Sequence, residues 1–344
     1  MFKSNYGLLD KLLHYLALQI GPVAELSFDL DQNSIKIDPE ATAKQKHVFV
    51  SGLARAGTTV LMKQFHSTGQ YRSLEYNDMP FILAPNLWRK LSSISQKERV
   101  DAVRAHGDNI VVNVDSPESL DEVFWRVFSG SSYLFKDHLS PYNPTKDTIQ
   151  KFVRYVAAII ASGTEQEDLY LSKNNNNIMR LGAIGRAFPN ALIVIPFRDP
   201  LNQAYSLLNQ HLRFLKIHKE DSFSLSYMKW LSHHEFGLDH RPFQFESSKP
   251  NLFPLDSLDY WLQIWTETYG WVLKNRPKTA KLVCYEKLCT KPKIWDELAN
   301  LAGIDESRLA SDELKLVSRS IDVDVDPSLR KRAKDLYAEL LEQC

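Results

Sequence analysis

Eight consecutive residues constrain this chain more than any others: Gly52-Leu53-Ala54-Arg55-Ala56-Gly57-Thr58-Thr59. The apolar run His47-Val48-Phe49-Val50 enters the segment, and the amphipathic run Val60-Leu61-Met62-Lys63-Gln64-Phe65 leaves it. That order predicts a buried strand over 47–53, a glycine turn, and a helix over 57–68. The first amides of such a helix have no carbonyl one turn back, and the helix dipole adds a positive field. The turn is therefore a ready cradle for an anion. Its spacing, G-x-x-x-x-G, is that of a phosphate-binding loop, but Thr58 stands where a nucleoside triphosphatase carries lysine. The basic residue lies inside the turn, at Arg55. The loop is expected to hold a phosphate without the lysine that reaches a β/γ-phosphate. Read without a ligand, the glycines would only permit a tight strand-to-helix turn.

The remaining pattern places that turn in a sheet. Apolar runs at 109–114, 168–171, 191–195 and 281–285 read as further strands. Helical stripes fall between them. One follows Pro117 through Phe128, and others cover 148–162 and 178–188; a long helix starts at Pro200. Strands that alternate with helices and read as continuous apolar runs imply a parallel sheet covered on both faces. The prediction is a single three-layer α/β domain over 1–344, P-loop-like, with a central parallel sheet of about five strands. Residues 1–45 form a helical extension. Residues 233–256, which contain Pro242 and Pro250 and show no period, read as a lid or acceptor loop. Ligands of such sheets bind beyond the carboxyl ends of the strands. The glycine loop, Lys173, Arg198 and Tyr285 all fall at such ends.

Charge and composition exclude several classes. The 344 residues carry 42 basic and 42 acidic side chains, so no bulk field draws the chain to nucleic acid or an anionic membrane. Any anionic ligand must be held locally. Cys284, Cys289 and Cys344 fit no disulfide framework and read as free thiols of a reducing compartment. No apolar run approaches the ~20 residues that span a bilayer. Leu8 to Leu16 are interrupted by charge and read as an amphipathic helix packed on the body. These features suggest a soluble cytoplasmic protein with no stable membrane anchor, and they are compatible with a homodimer.

Three segments together resemble a known family. The first is Gly52 to Thr59. The second is Arg198-Asp199-Pro200-Leu201-Asn202-Gln203-Ala204-Tyr205-Ser206, and the third is Leu282-Val283-Cys284-Tyr285-Glu286-Lys287-Leu288. Over residues 47 to about 300 the chain resembles the sulfotransferases, whose donor is 3′-phosphoadenosine-5′-phosphosulfate (PAPS). Its form is nearer to the R-x-G-T-T branch, which includes tyrosylprotein and several carbohydrate enzymes, than to the cytosolic branch. The resemblance implies that Arg55, Ala56, Gly57, Thr58 and Thr59 hold the 5′-phosphosulfate. It implies that Arg198 and Ser206 hold the 3′-phosphate, with Tyr285 near the nucleotide. Lys173, fifteen residues ahead of Phe188-Pro189-Asn190, would assist leaving-group departure. Asp78, Glu75 and His106 are the three candidates for the base that takes the acceptor's proton. PAP, the desulfonated nucleotide, would be the product, and no metal is required.

Bland readings stand beside each of these. Arg198 is also placed to pair with Asp199, Lys173 to be a solvated strand-end lysine, and Asn174 to Asn177 to be a turn and helix cap. His233 to His240 lack the H-E-x-x-H spacing and read as a solvated loop. Tyr260, Trp261, Ile264, Trp265, Thr268 and Tyr269 read as a core stripe, with an acceptor pocket as the functional reading. A P-loop kinase remains the rival class, with Asp199 as its magnesium-binding acid. No basic stripe suited to an acidic peptide is present. This puts a sugar or glycan hydroxyl ahead of a phenol or peptide tyrosine as the acceptor.

Overall fold

The computed structural model of the protein describes residues 7–36, 38–92, 102–103, 111–112, 120–246, 248, 252–308 and 323–344. Its strands are β1 (Val48–Val50), β2 (Tyr71–Arg72), β3 (Ala102–Val103), β4 (Val111–Val112), β5 (Leu169–Lys173), β6 (Leu192–Phe197) and β7 (Lys281–Cys284). Five of them form one sheet in the order β2-β5-β1-β6-β7, with every pairing parallel. The expected strand at 109–114 is not among these. Its described part, β4, pairs antiparallel with β3 in a separate ladder, and β2 supplies the fifth central strand. Pro117, expected at the start of the following helix, lies outside the described residues; the helix there spans Glu122–Tyr133.

Alternation along β1 sorts the two layers. Val48 and Val50 face a cluster with Leu61, Met62 and Phe65 of the Thr58–His66 helix and with Trp295 and Leu298. Phe49, between them, faces the opposite cluster with Phe152, Tyr170 and Phe188. Successive side chains of a strand point to opposite faces, so a strand buried on both sides must be apolar throughout. The Lys146–Ala161 helix is started by Thr145, whose hydroxyl accepts from the Thr148 amide at 3.1 Å.

The strand order sets where the site lies. From β1 the chain crosses toward β2, whereas from β6 it crosses the other way, toward β7. The crevice between the carboxyl ends of β1 and β6 is the topological switch point of the sheet, the usual ligand position in open α/β folds. The glycine loop leaves β1 there, and Arg198 follows β6 there. Among the described residues, no helix is long and apolar enough to cross a membrane.

Candidate active site

The loop is built for close backbone approach. A Cβ at Gly52 would stand 2.9 Å from the Pro196 carbonyl oxygen, so β6 presses on the turn from one side. Arg55 takes a positive φ of 68°, and Gly57, the residue that caps the Thr58–His66 helix, takes 94°. Such angles are uncommon for a residue with a side chain. At Gly57 a Cβ would also meet Tyr285 Cδ2 at 2.5 Å. Only glycine permits this contact.

Two long-range contacts draw the sequence motifs into one place. Arg55 Nε donates to Ser206 Oγ at 3.0 Å. Arg198 lies with its guanidinium carbon 5.1 Å from the centre of the Tyr285 ring, and the same ring abuts Gly57. Arg198 Nε is also 3.7 Å from Glu286 Oε1, which accepts the Asp199 amide at 3.0 Å. Arg55, Gly57, Arg198, Ser206 and Tyr285 thus line one side of the sheet, with Ala56, Thr58 and Thr59 carried on the same turn. Asp199 Oδ1 accepts from both the amide and the side chain of Asn202, as a helix cap does.

Gln203 is a residue that motif reading missed. It is fully buried and donates to the carbonyls of Leu53, at 3.3 Å, and Ala54, at 2.9 Å. Its own oxygen accepts from Trp265 Nε1 at 3.0 Å. The loop is therefore strapped to the Pro200–Glu220 helix by an amide one turn ahead of Ser206, a spacing that puts both on one helix face. Trp265 and Tyr269 belong to the core, as the aromatic stripe predicted, and Tyr269 donates to the Pro196 carbonyl at 2.8 Å.

Lys173 ends β5, in register with Val50, and is half-buried. The asparagine run after it has four separate tasks. Asn174 Oδ1 caps the next turn through the Asn176 amide, and its Nδ2 donates to Asp121 and Glu122. Asn175 Nδ2 donates to Glu235 Oε1 at 3.3 Å, and Asn176 Nδ2 to the Ser232 carbonyl at 3.3 Å. Asn177 accepts from Arg180 Nε at 3.0 Å. Arg180 and Glu122 form a fully buried ion pair beneath this run.

The segment after 232 is not the solvated loop that its composition suggested. His234, Phe236 and Gly237 are buried. His234 Nδ1 is 2.7 Å from Asp239 Oδ2. The amides of Gly237 and Leu238 donate to Nδ1 of His211 and His218 on the Pro200–Glu220 helix. Arg241 to Gln244 run beside Leu139, with hydrogen bonds of 2.9 and 2.8 Å. His240 is anchored to the Glu235 carbonyl at 2.7 Å and to the Tyr260 hydroxyl at 3.0 Å. Between this segment and the glycine loop lies a narrow pocket lined by Leu53, Ala54, Asn175, Glu235 and Trp261, among others. A larger, open cleft lies by Gln70, Asp168 and Gly303, at the amino end of β5 and away from the loop.

Two of the candidate bases, Asp78 and Glu75, share a polar cluster with Arg72. Asp78 is fully buried; Arg72 Nη2 donates to its two oxygens at 2.6 and 2.8 Å, and the Glu75 amide to one of them at 2.8 Å. Arg72 also reaches Ser162 Oγ, at the end of the Lys146–Ala161 helix. Glu75 Oε1 lies 3.7 Å from His66 Nε2 and 3.9 Å from Arg72 Nη1, and Glu167 completes a group whose ligand atoms lie within 4.8 Å of one another. His66 ends the helix that begins at the loop, about 13 Å along its axis. Glu167 precedes β5, whose far end carries Lys173. The third candidate, His106, lies outside the described residues.

The geometry above accords with a sequence-family match. The Sulfotransferase family model matches residues 47–242, more than half of the chain. The chain belongs to the sulfotransferase family. The match begins at the residue before β1 and extends past Arg198, Ser206 and the folded 232–242 segment. No curated protein matches the chain in sequence. Among solved structures, the sulfotransferase STF1 of Mycobacterium tuberculosis is similar at 13% identity and a TM-score of 0.48, covering 96% of this chain and 82% of that one. The sulfotransferase STF9 of Mycobacterium avium is similar at 14% identity and a TM-score of 0.48, covering 98% and 84%.

Proposed function

We propose that this sulfotransferase moves a sulfonate group from PAPS to an acceptor hydroxyl on a small molecule or glycan. The observation that carries the reading is the shared wall. Tyr285 touches Gly57 of one anion-binding motif and Arg198 of the other, and Arg55 bonds Ser206 across them. A ligand with an anion at each end of one nucleoside fits two such motifs set side by side. The glycine turn, which leaves no room for a Cβ at Gly57, suits close backbone approach to a 5′-phosphosulfate. A fork donor with a hydroxyl, Arg198 with Ser206, suits a 3′-phosphate.

PAPS supplies a sulfonate already activated by its link to phosphate. Sulfuryl transfer resembles phosphoryl transfer, with a loose in-line transition state, so positioning and charge stabilisation supply most of the rate. Amides of residues 55–59 and the Thr58 and Thr59 hydroxyls would bind the phosphate oxygens. Arg55 would neutralise charge on the sulfuryl group, and Lys173 charge on the departing oxygen. The kinase alternative lacks its lysine at Thr58, and Asp199 is occupied as a cap.

Calorimetry tests the donor assignment. PAP is expected to bind without magnesium, and ATP with magnesium is expected to bind far more weakly. Transfer of radiolabelled sulfonate to a panel of phenols, sugars and lipids tests the reaction. Tight binding of Mg-ATP with no heat from PAP would reverse the reading.

A further inference from the structure

Three metal-ligating side chains converge from three separate segments. His66 is the last residue of the Thr58–His66 helix, Glu75 follows β2 and starts the Tyr76–Asp78 turn, and Glu167 lies just ahead of β5. They meet because β2 pairs with β5 and the helix packs on both strands. One ligand atom from each lies within 4.8 Å of the other two. These groups are held in place but not satisfied. His66 Nε2 is buried with no hydrogen-bond partner among the described residues, although buried polar atoms ordinarily have one. Glu75 is only 6% exposed, and its Oε1 stands 3.7 Å from His66 Nε2 and 3.9 Å from Arg72 Nη1, both beyond hydrogen-bond reach. Glu167 Oε2 accepts the Thr164 amide at 2.8 Å, which fixes the carboxylate and leaves most of its acceptor capacity unused.

The adjacent cation is turned to other partners. Arg72 Nη2 donates to both oxygens of Asp78, at 2.6 and 2.8 Å, and Nη1 donates to the Ser73 carbonyl. The charges of Arg72 and Asp78 cancel within that buried pair. Glu75 and Glu167 then leave two negative charges beside one imidazole. Carboxylates this close repel, most strongly where water is excluded.

We propose that His66, Glu75 and Glu167 bind one divalent transition-metal ion of the zinc class. A divalent ion cancels the two carboxylate charges and gives the unpaired His66 Nε2 a partner. One imidazole nitrogen with two carboxylate oxygens suits zinc, whereas magnesium and calcium take shells of oxygen. Zinc bonds of about 2.0–2.2 Å hold tetrahedral ligand atoms roughly 3.4 Å apart. His66 Nε2 and Glu75 Oε1 already stand 3.7 Å apart. Water takes the fourth position. The ion ties the end of the helix that begins at Thr58 to β2 and to the entry of β5, the strand that ends at Lys173. Glu75 then serves the ion rather than the acceptor's proton. Sulfonate transfer needs no such ion, so this site and the donor reading stand or fall separately.

The test is calorimetry with zinc chloride on the full chain, stripped of metal by a chelator and dialysed. One equivalent should bind with micromolar affinity or better, and magnesium and calcium chlorides should bind far more weakly. With free zinc at a hundredfold its dissociation constant, the folding equilibrium should move toward the native state about 100-fold, read as a higher Tm. His66→Gln, Glu75→Gln and Glu167→Gln each remove one ligand. Loss of an outer-shell partner alone weakens metal binding about 10–100-fold, so each variant should lose at least as much. His66 and Glu167 are half-buried, and their variants carry the test if Glu75→Gln does not fold. Zinc that binds all the folded variants as tightly as wild type is held elsewhere, as by the histidines of 233–240, and overturns the proposal. So does wild-type protein that takes up no zinc at millimolar concentration, or that binds calcium more tightly than zinc.

Discussion

Arg55 Nε donates to Ser206 Oγ at 3.0 Å, joining two motifs that lie 151 residues apart in the chain. The bond exists because β1 and β6 are neighbours in the sheet, so the turn after one faces the helix after the other. On the proposed donor reading, this bond holds the arginine near its working position before the ligand arrives.

Arg55→Ala and Ser206→Ala should each weaken binding of PAPS, measured without acceptor. Hydrogen bonds to charged groups contribute roughly 1.5–3 kcal/mol, a loss of about ten- to 150-fold in affinity. Since the two side chains touch, the double variant should lose less than the two single losses combined, with a coupling of about 0.5–3 kcal/mol. Titration calorimetry on the four proteins of the cycle measures this. Strict additivity would mean that the contact does not persist with ligand bound.

Gly57→Ala should impair donor binding more than it impairs folding. At φ 94° an added Cβ costs on the order of 1–2 kcal/mol, and it must displace the Tyr285 ring, whose Cδ2 would be 2.5 Å away. That ring is the wall shared with Arg198. PAP affinity should fall more than tenfold while the protein still melts cooperatively. Near-native affinity would show that Tyr285 can move aside freely.

Gln203→Ala should slow catalysis without removing any donor contact. It frees the buried carbonyls of Leu53 and Ala54 and the Trp265 indole N–H, each an unpaired group costing roughly 1–3 kcal/mol. The loop then loses its strap. A fall in kcat/KM together with a lower Tm is expected. A lower Tm with kcat/KM intact would place the strap outside function.

Arg180→Ala should destabilise by about 3–5 kcal/mol in urea unfolding, because it leaves Glu122 buried without its counter-charge. Arg180→Met paired with Glu122→Gln should recover much of that loss. No recovery would show that the hydrogen bonds of Arg180 to Asn177 and Tyr142, rather than charge, set the cost.

Acid should unfold the protein partly through His47. Its Nε2–H donates to the Thr42 carbonyl at 2.8 Å and its Nδ1 accepts the Tyr170 amide at 3.0 Å, so the neutral ring joins the entry to β1 with β5. Burial lowers its pKa to about 4. The unfolded chain therefore binds this proton first as pH falls. The stabilisation is complete above about 6.5 and is lost as pH drops toward about 4, by roughly 3 kcal/mol at pH 4. His211 and His240, also lowered to about 4, act with the same sign. Stability followed from pH 7 to 4 should show this slope, and His47→Gln should flatten it. An unchanged slope would assign the acid loss to other groups.

Local spacing made much of the site legible in advance. The glycine turn, the arginine after β6 and the tyrosine after β7 are each fixed by a strand end a residue or two away, so sequence placed them at one edge of the sheet. Tyr71–Arg72 gave no signal, because a two-residue strand shows no period; it enters the sheet only by pairing with Leu169 and Tyr170. The partners of Asp78 and Glu75 were hidden for a related reason. Carboxylates just past a two-residue strand carry no local sign of their partners, and Arg72 pairs with both.

The sequence by itself determined the layered α/β architecture and the glycine turn, because short-range periodicity, glycine and proline act within a few residues. Only the tertiary structure decided what surrounds that turn. Gln203 beneath it and Ser206 against Arg55 meet it across 149 to 151 residues of chain, and nearby Glu235 meets Asn175 across 60. Strand order and the docking of the 232–246 segment bring those groups together, and contacts between distant parts of a chain leave no period in the sequence.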